Sequence, residues 1–228
     1  MLDQPPYVLL IAVGLAFVLP EPGRWNPFVL AQSGARALAR DLPKAGPLGI
    51  GGGILVLALV AAPAVAATWA LTSALPVGLR LVSPDASPTV ALILAAVVLR
   101  LTLRLPPVWR WRGDTGRPHD QALQALGAEL AAPVMLFALL GLYAPVVYQV
   151  ALEVSRGLGD APENAPIAAA STWVAYIPAY PARRLVELFC LLAERPGETQ
   201  PTSEARPLRA WAVAAAGTIA LALLVAIW

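Results

Sequence analysis

Long apolar runs with almost no charge alternate along this chain with short polar segments. The runs cover residues 6–20, 49–75, 88–105, 130–152, 168–192 and 208–228. The longest are apolar around the whole helical circumference, where a soluble amphipathic helix would be apolar on one face only. A helix of about 20 residues crosses a hydrocarbon core about 30 Å thick. The pattern predicts an all-α, polytopic transmembrane helix bundle of five to six spans, with 1–228 forming a single integral membrane domain.

The punctuation refines this picture. The first run is short, so both a full span and a tilted, re-entrant helix fit it. It has no basic segment before it and no A-x-A-like site after it, so it does not read as a cleaved signal. Residues 32–42 carry Arg36 and Arg40 on one face and space Leu38 and Leu42 for the other. That pattern predicts an amphipathic surface helix after the first span. The glycine-rich start at 49–53 suits either close helix approach or a frayed helix end, and it lacks the Lys-Ser/Thr of a phosphate loop.

Composition agrees with a membrane chain: 58% of residues are hydrophobic and 13% charged, about half the charged share of soluble domains. A net charge of +2 gives no basis for a nucleic-acid partner. The expected partners are the lipid bilayer and, within it, other membrane proteins or a second copy of the chain. The single Cys190 excludes an intrachain disulfide and a multi-cysteine metal site.

Charged residues inside or beside the runs are the candidate chemistry. Arg100 and Arg104 end the third run, and snorkelling to the interface is the expectation there. Trp109, Arg110, Trp111 and Arg112 interleave as at a membrane surface. His119, the only histidine, lies in the same polar loop and reads as solvated; no metal ligand set is evident. The fifth run holds Pro178, Pro181, Arg183, Arg184 and Glu187. Either the span ends at Pro181 and an interfacial helix follows, or the arginines sit near membrane depth and need a partner, Glu129 or Glu187. Lys and Arg are dense in 21–47, 100–117 and 183–209 and sparse in 76–87 and 153–166. The positive-inside rule then puts the first, third and fifth loops in the cytoplasm. The expected location is a bacterial inner membrane, multi-pass, with both termini periplasmic.

One series of short motifs carries a family resemblance. It runs from Arg112-Gly113-Asp114-Thr115 through Gly127-Ala128-Glu129-Leu130 and Ala132-Pro133-Val134-Met135-Leu136-Phe137 to Leu140-Gly141 and Tyr148. Tyr176-Ile177-Pro178 and Pro181-Ala182-Arg183 follow, and Asn26-Pro27-Phe28-Val29 stands near the start. The series resembles the core of the CobD/CbiB cobalamin-biosynthesis family and its distant relative AmpE. The family's enzymes join an aminopropanol unit to adenosylcobyric acid. The resemblance implies Glu129, Asp114 and Arg183 as catalytic groups, and Arg24, Arg112, Arg184, Tyr148 and Tyr176 as substrate-binding ones. It implies a corrinoid substrate, with Mg as a candidate ion.

The departures from the family pattern are as informative. The family's Glu-Asn pair is Glu129-Leu130 here. Its Asn-Thr-x-Asp stretch is replaced by Leu152, Glu153, Val154 and Ser155, with Glu153 one position early as a substitute carboxylate. AmpE, a membrane regulatory protein, lacks much of the same polar set. Two expectations follow: a non-catalytic membrane regulator, scaffold or assembly partner that needs no cofactor, and a cobalamin-biosynthesis enzyme forming adenosylcobinamide or its phosphate.

Overall fold

The computed structural model describes residues 5–19, 26–42, 46–80, 87–104, 125–193 and 205–227. Every element among them is helical. In chain order they are α1 (Pro5–Val18), α2 (Pro27–Ala39), α3 (Gly46–Trp69), a π-helical turn (Ala70–Ala74), α4 (Leu75–Arg80) and α5 (Ser87–Thr102). A second π turn (Gly127–Ala131), α6 (Ala132–Leu140), α7 (Tyr143–Gly159), a 3-10 turn (Pro162–Asn164), α8 (Ala165–Ala193) and α9 (Ala205–Ile227) follow.

Prolines explain where the helices change register. A helical proline has no N–H for the carbonyl four residues earlier. Pro76 leaves Thr72 unserved and Pro133 leaves Glu129 unserved. Both π turns end two residues before such a proline, and there the bond slips to i+5: Leu75 N–H to the Ala70 carbonyl, Ala132 N–H to the Gly127 carbonyl.

The rod made of α3, the first π turn and α4 holds the helical stretch Gly49–Arg80. Among the described residues it alone is long and apolar enough to cross a membrane by length and composition. At about 1.5 Å per residue its 32 residues rise well beyond a hydrocarbon core. Much of its apolar surface is open, with Ile54, Leu55 and Leu59 half exposed or more. The apolar helices of α1, α5, the 127–140 stretch and α9 are shorter.

Two expectations about the elements change, and one open alternative is decided. The 130–152 run is two helices, not one. Gly141 adopts φ 80°, ψ −170°, a conformation closed to residues with a Cβ, and Pro145 cannot donate to its carbonyl. The 168–192 run, by contrast, stays one helix through Pro178 and Pro181 as part of α8, so no break occurs at Pro181. The helix after the first run starts at Asn26, whose side chain caps the Phe28 N–H at 3.0 Å. Its buried face is Phe28, Ala31, Ala35 and Ala39, while Leu38 is exposed. Small alanines let α2 lie close on α7, which the larger Leu38 would prevent.

The core sits around α7, which packs against α2, α3, α5, α6 and α8. Close approach requires one glycine at the start of α3: a Cβ on Gly53 would collide with the Ile167 carbonyl of α8.

Candidate functional site: a buried ion network on α7

Gln149, Glu153 and Arg156 follow one another at spacings that share a helical face, with Tyr148 beside it. On α7 that face points into the bundle. Glu153 is fully buried, so its charge needs partners. Its Oε1 accepts from Arg104 at 2.8 Å, from Arg156 at 3.1 Å and from Gln149 at 3.4 Å. Its Oε2 accepts from Gln32 of α2 at 2.5 Å. Two guanidinium groups and two amides thus converge on one carboxylate.

Arg156 extends the network. Its second terminal nitrogen donates to Glu129 Oε1 at 2.6 Å. Burial of the Arg156 charge is offset by the carboxylates of Glu129 and Glu153. Glu129, Glu153, Arg104 and Arg156 together sum to zero charge.

The π turn carrying Glu129 is docked twice more. The Glu129 carbonyl, freed by Pro133, accepts the backbone N–H of Arg104 at 3.1 Å. The Tyr148 hydroxyl donates to the Ala128 carbonyl at 2.7 Å. On its other side the π turn lies close on α8, where a Cβ on Gly127 would stand 2.9 Å from the Cα of Arg183.

The ends of the helices are tied in the same way. Arg100 is 5% exposed and donates to the carbonyls of Leu103 and Leu19, each at 3.0 Å. The expectation of snorkelling fails for it, and for Arg104, because buried acceptors lie within reach of both. Arg36 donates to the Gly157 carbonyl and to Asp160, both at 2.8 Å. That contact overturns the expected placement of 21–47 and 153–166 on opposite sides of a membrane: Arg36 and Asp160 touch.

The residues singled out in the sequence divide into three groups. Glu129 and Tyr148 belong to the network, with the Tyr148 hydroxyl occupied by a backbone carbonyl. Arg183 and Arg184 do not reach Glu129; they pair with Glu187 on their own helix, at 2.9 and 2.7 Å. Tyr176 lies exposed on α8 beside Tyr180. Asp114, Arg112 and Arg24 lie outside the described residues.

Sequence reasoning missed Gln32, Arg104, Gln149 and Arg156 as members of the site. The 149–153–156 spacing was the available signal, a polar stripe in a helix otherwise buried. No group of three or more His, Cys, Asp or Glu that could hold a metal gathers among the described residues. No family model, curated protein or solved structure matches the chain.

Proposed function

We propose that this chain is a polytopic helical membrane protein, divergent from the CobD/CbiB and AmpE proteins it resembles, with a non-catalytic role as a regulator, scaffold or assembly partner. The observation that carries the non-catalytic reading is the closure of the Glu129–Arg156–Glu153–Arg104 network. A carboxylate that handles a substrate amine must be free to take its proton. Glu153 has both oxygens occupied and no solvent exposure. Glu129 is held by Arg156 at 2.6 Å.

The membrane reading draws support from the apolar Gly49–Arg80 rod and from the open apolar faces of α3 and α8. The basic 21–47 segment sets the cytoplasmic side, and the Arg36–Asp160 pair brings the 160–164 turn to it. In this topology α8 leaves the cytoplasmic side and α9 returns to it. The Arg36–Asp160 pairing revises the orientation expected for 153–166 from charge alone.

Purification in detergent tests the non-catalytic reading. The protein is expected to carry no corrinoid absorbance and to bind no added adenosylcobyric acid. Stoichiometric corrinoid binding would promote the enzyme reading, with Glu129 as its first candidate residue.

A further inference from the structure

On α8, Arg183 and Arg184 lie on the surface of a helix whose neighbouring exposed side chains are apolar or aromatic. The side chain of Arg184 is 64% exposed and that of Arg183 is 43% exposed. Ile177 on one side and Leu188 on the other are at least half exposed. The guanidinium of Arg184 stands 5.4 Å from the Tyr180 ring centre, within cation–π range. Tyr176 and Tyr180 are neighbours at 5.9 Å between ring centres.

An exposed arginine on a lipid-facing helix is costly in hydrocarbon, so it marks the level of the headgroups. Tyrosines concentrate at that level too. Two arginines against one Glu187 leave the patch at +1, and the anion present at this depth is a phospholipid phosphate.

We infer that Tyr180, Arg183 and Arg184 form a binding site for an anionic phospholipid headgroup, with the acyl chains lying along the Tyr176–Ile177 face. Glu187 orients both arginines and moderates their charge. The inference rests on the membrane reading above.

The test is native mass spectrometry of the full chain released from nanodiscs of phosphatidylcholine with and without phosphatidylglycerol. Wild-type protein should retain phosphatidylglycerol over phosphatidylcholine. One arginine near a lipid surface is worth about 1 kcal/mol, or about fivefold, so Arg184→Gln should lower the preference by about that factor. Glu187→Gln, which takes the patch from +1 to +2, should raise it. Arg40→Gln removes an exposed charge elsewhere and should leave it unchanged. Equal retention of both lipids by a membrane-integral protein, or an equal loss in Arg40→Gln, would overturn the site alone. Release of the protein from membranes by a carbonate wash would overturn the membrane reading and the site together.

Discussion

Arg156 of α7 holds the carboxylate of Glu129 at 2.6 Å while its other terminal nitrogen holds Glu153 at 3.1 Å. One side chain thus joins the central helix to the π turn and to the buried carboxylate that Arg104 also contacts. Removing one member leaves a charge without its partner in a dry site, which costs about 3–5 kcal/mol when the pair is buried.

Glu153→Ala should therefore destabilise the protein by several kcal/mol, about 3–5, since Arg104 and Arg156 both lose an acceptor. Thermal unfolding in detergent measures this. Arg156 is 37% exposed, so Arg156→Gln should cost less. A double-mutant cycle over Glu129→Gln and Arg156→Gln should give a coupling of about 0.5–3 kcal/mol. A coupling of zero would show that the two do not interact in solution.

Pro133→Ala supplies an N–H four residues after Glu129. The Glu129 carbonyl should then turn to its own helix and release the Arg104 amide. Hydrogen exchange should accelerate at Arg104, and the new amide at residue 133 should be protected. An unchanged Arg104 amide would mean that proline is not what opens the π turn.

Gly141→Ala places a Cβ at φ 80°, ψ −170°, at a cost of about 1–3 kcal/mol. The melting temperature should fall while the α6 and α7 ends stay docked through Glu129 and Arg156. A variant as stable as the parent would indicate that 130–152 can run as one helix.

Much of the fold was legible because burial type is written into residue type. The apolar runs marked the helices, and Asn26-Pro27 marked the start of α2. What the sequence hid were departures that arise from backbone donors rather than hydropathy. A window over 130–152 is apolar apart from Gln149, yet Gly141 and Pro145 together stop the helix there. Pro178 and Pro181 carry the same local signal, but α8 continues through them, packed on α3, α7 and α9. Within the site, Glu129 was legible as a carboxylate available to pair with a buried arginine. Its partner was not, because Arg183 and Arg156 are equally basic in sequence, and only the docking of the π turn on α7 decides between them.

Arg36 and Asp160 predict a further, accessible result. Single cysteines at Arg40 and Asp160, placed in a Cys190→Ser background, should react with a membrane-impermeant maleimide from the same side. Labelling of positions 40 and 160 from opposite sides would contradict the packing of α2 on α7.

The most direct test of the central claim is complementation. A strain lacking its CobD/CbiB enzyme and expressing this chain, with the protein verified in the membrane fraction, is grown without cobalamin precursors beyond the blocked step. A closed, charge-neutral network around Glu129 and Glu153 predicts no growth. Sustained cobalamin-dependent growth that is lost in Glu129→Ala would contradict the non-catalytic account.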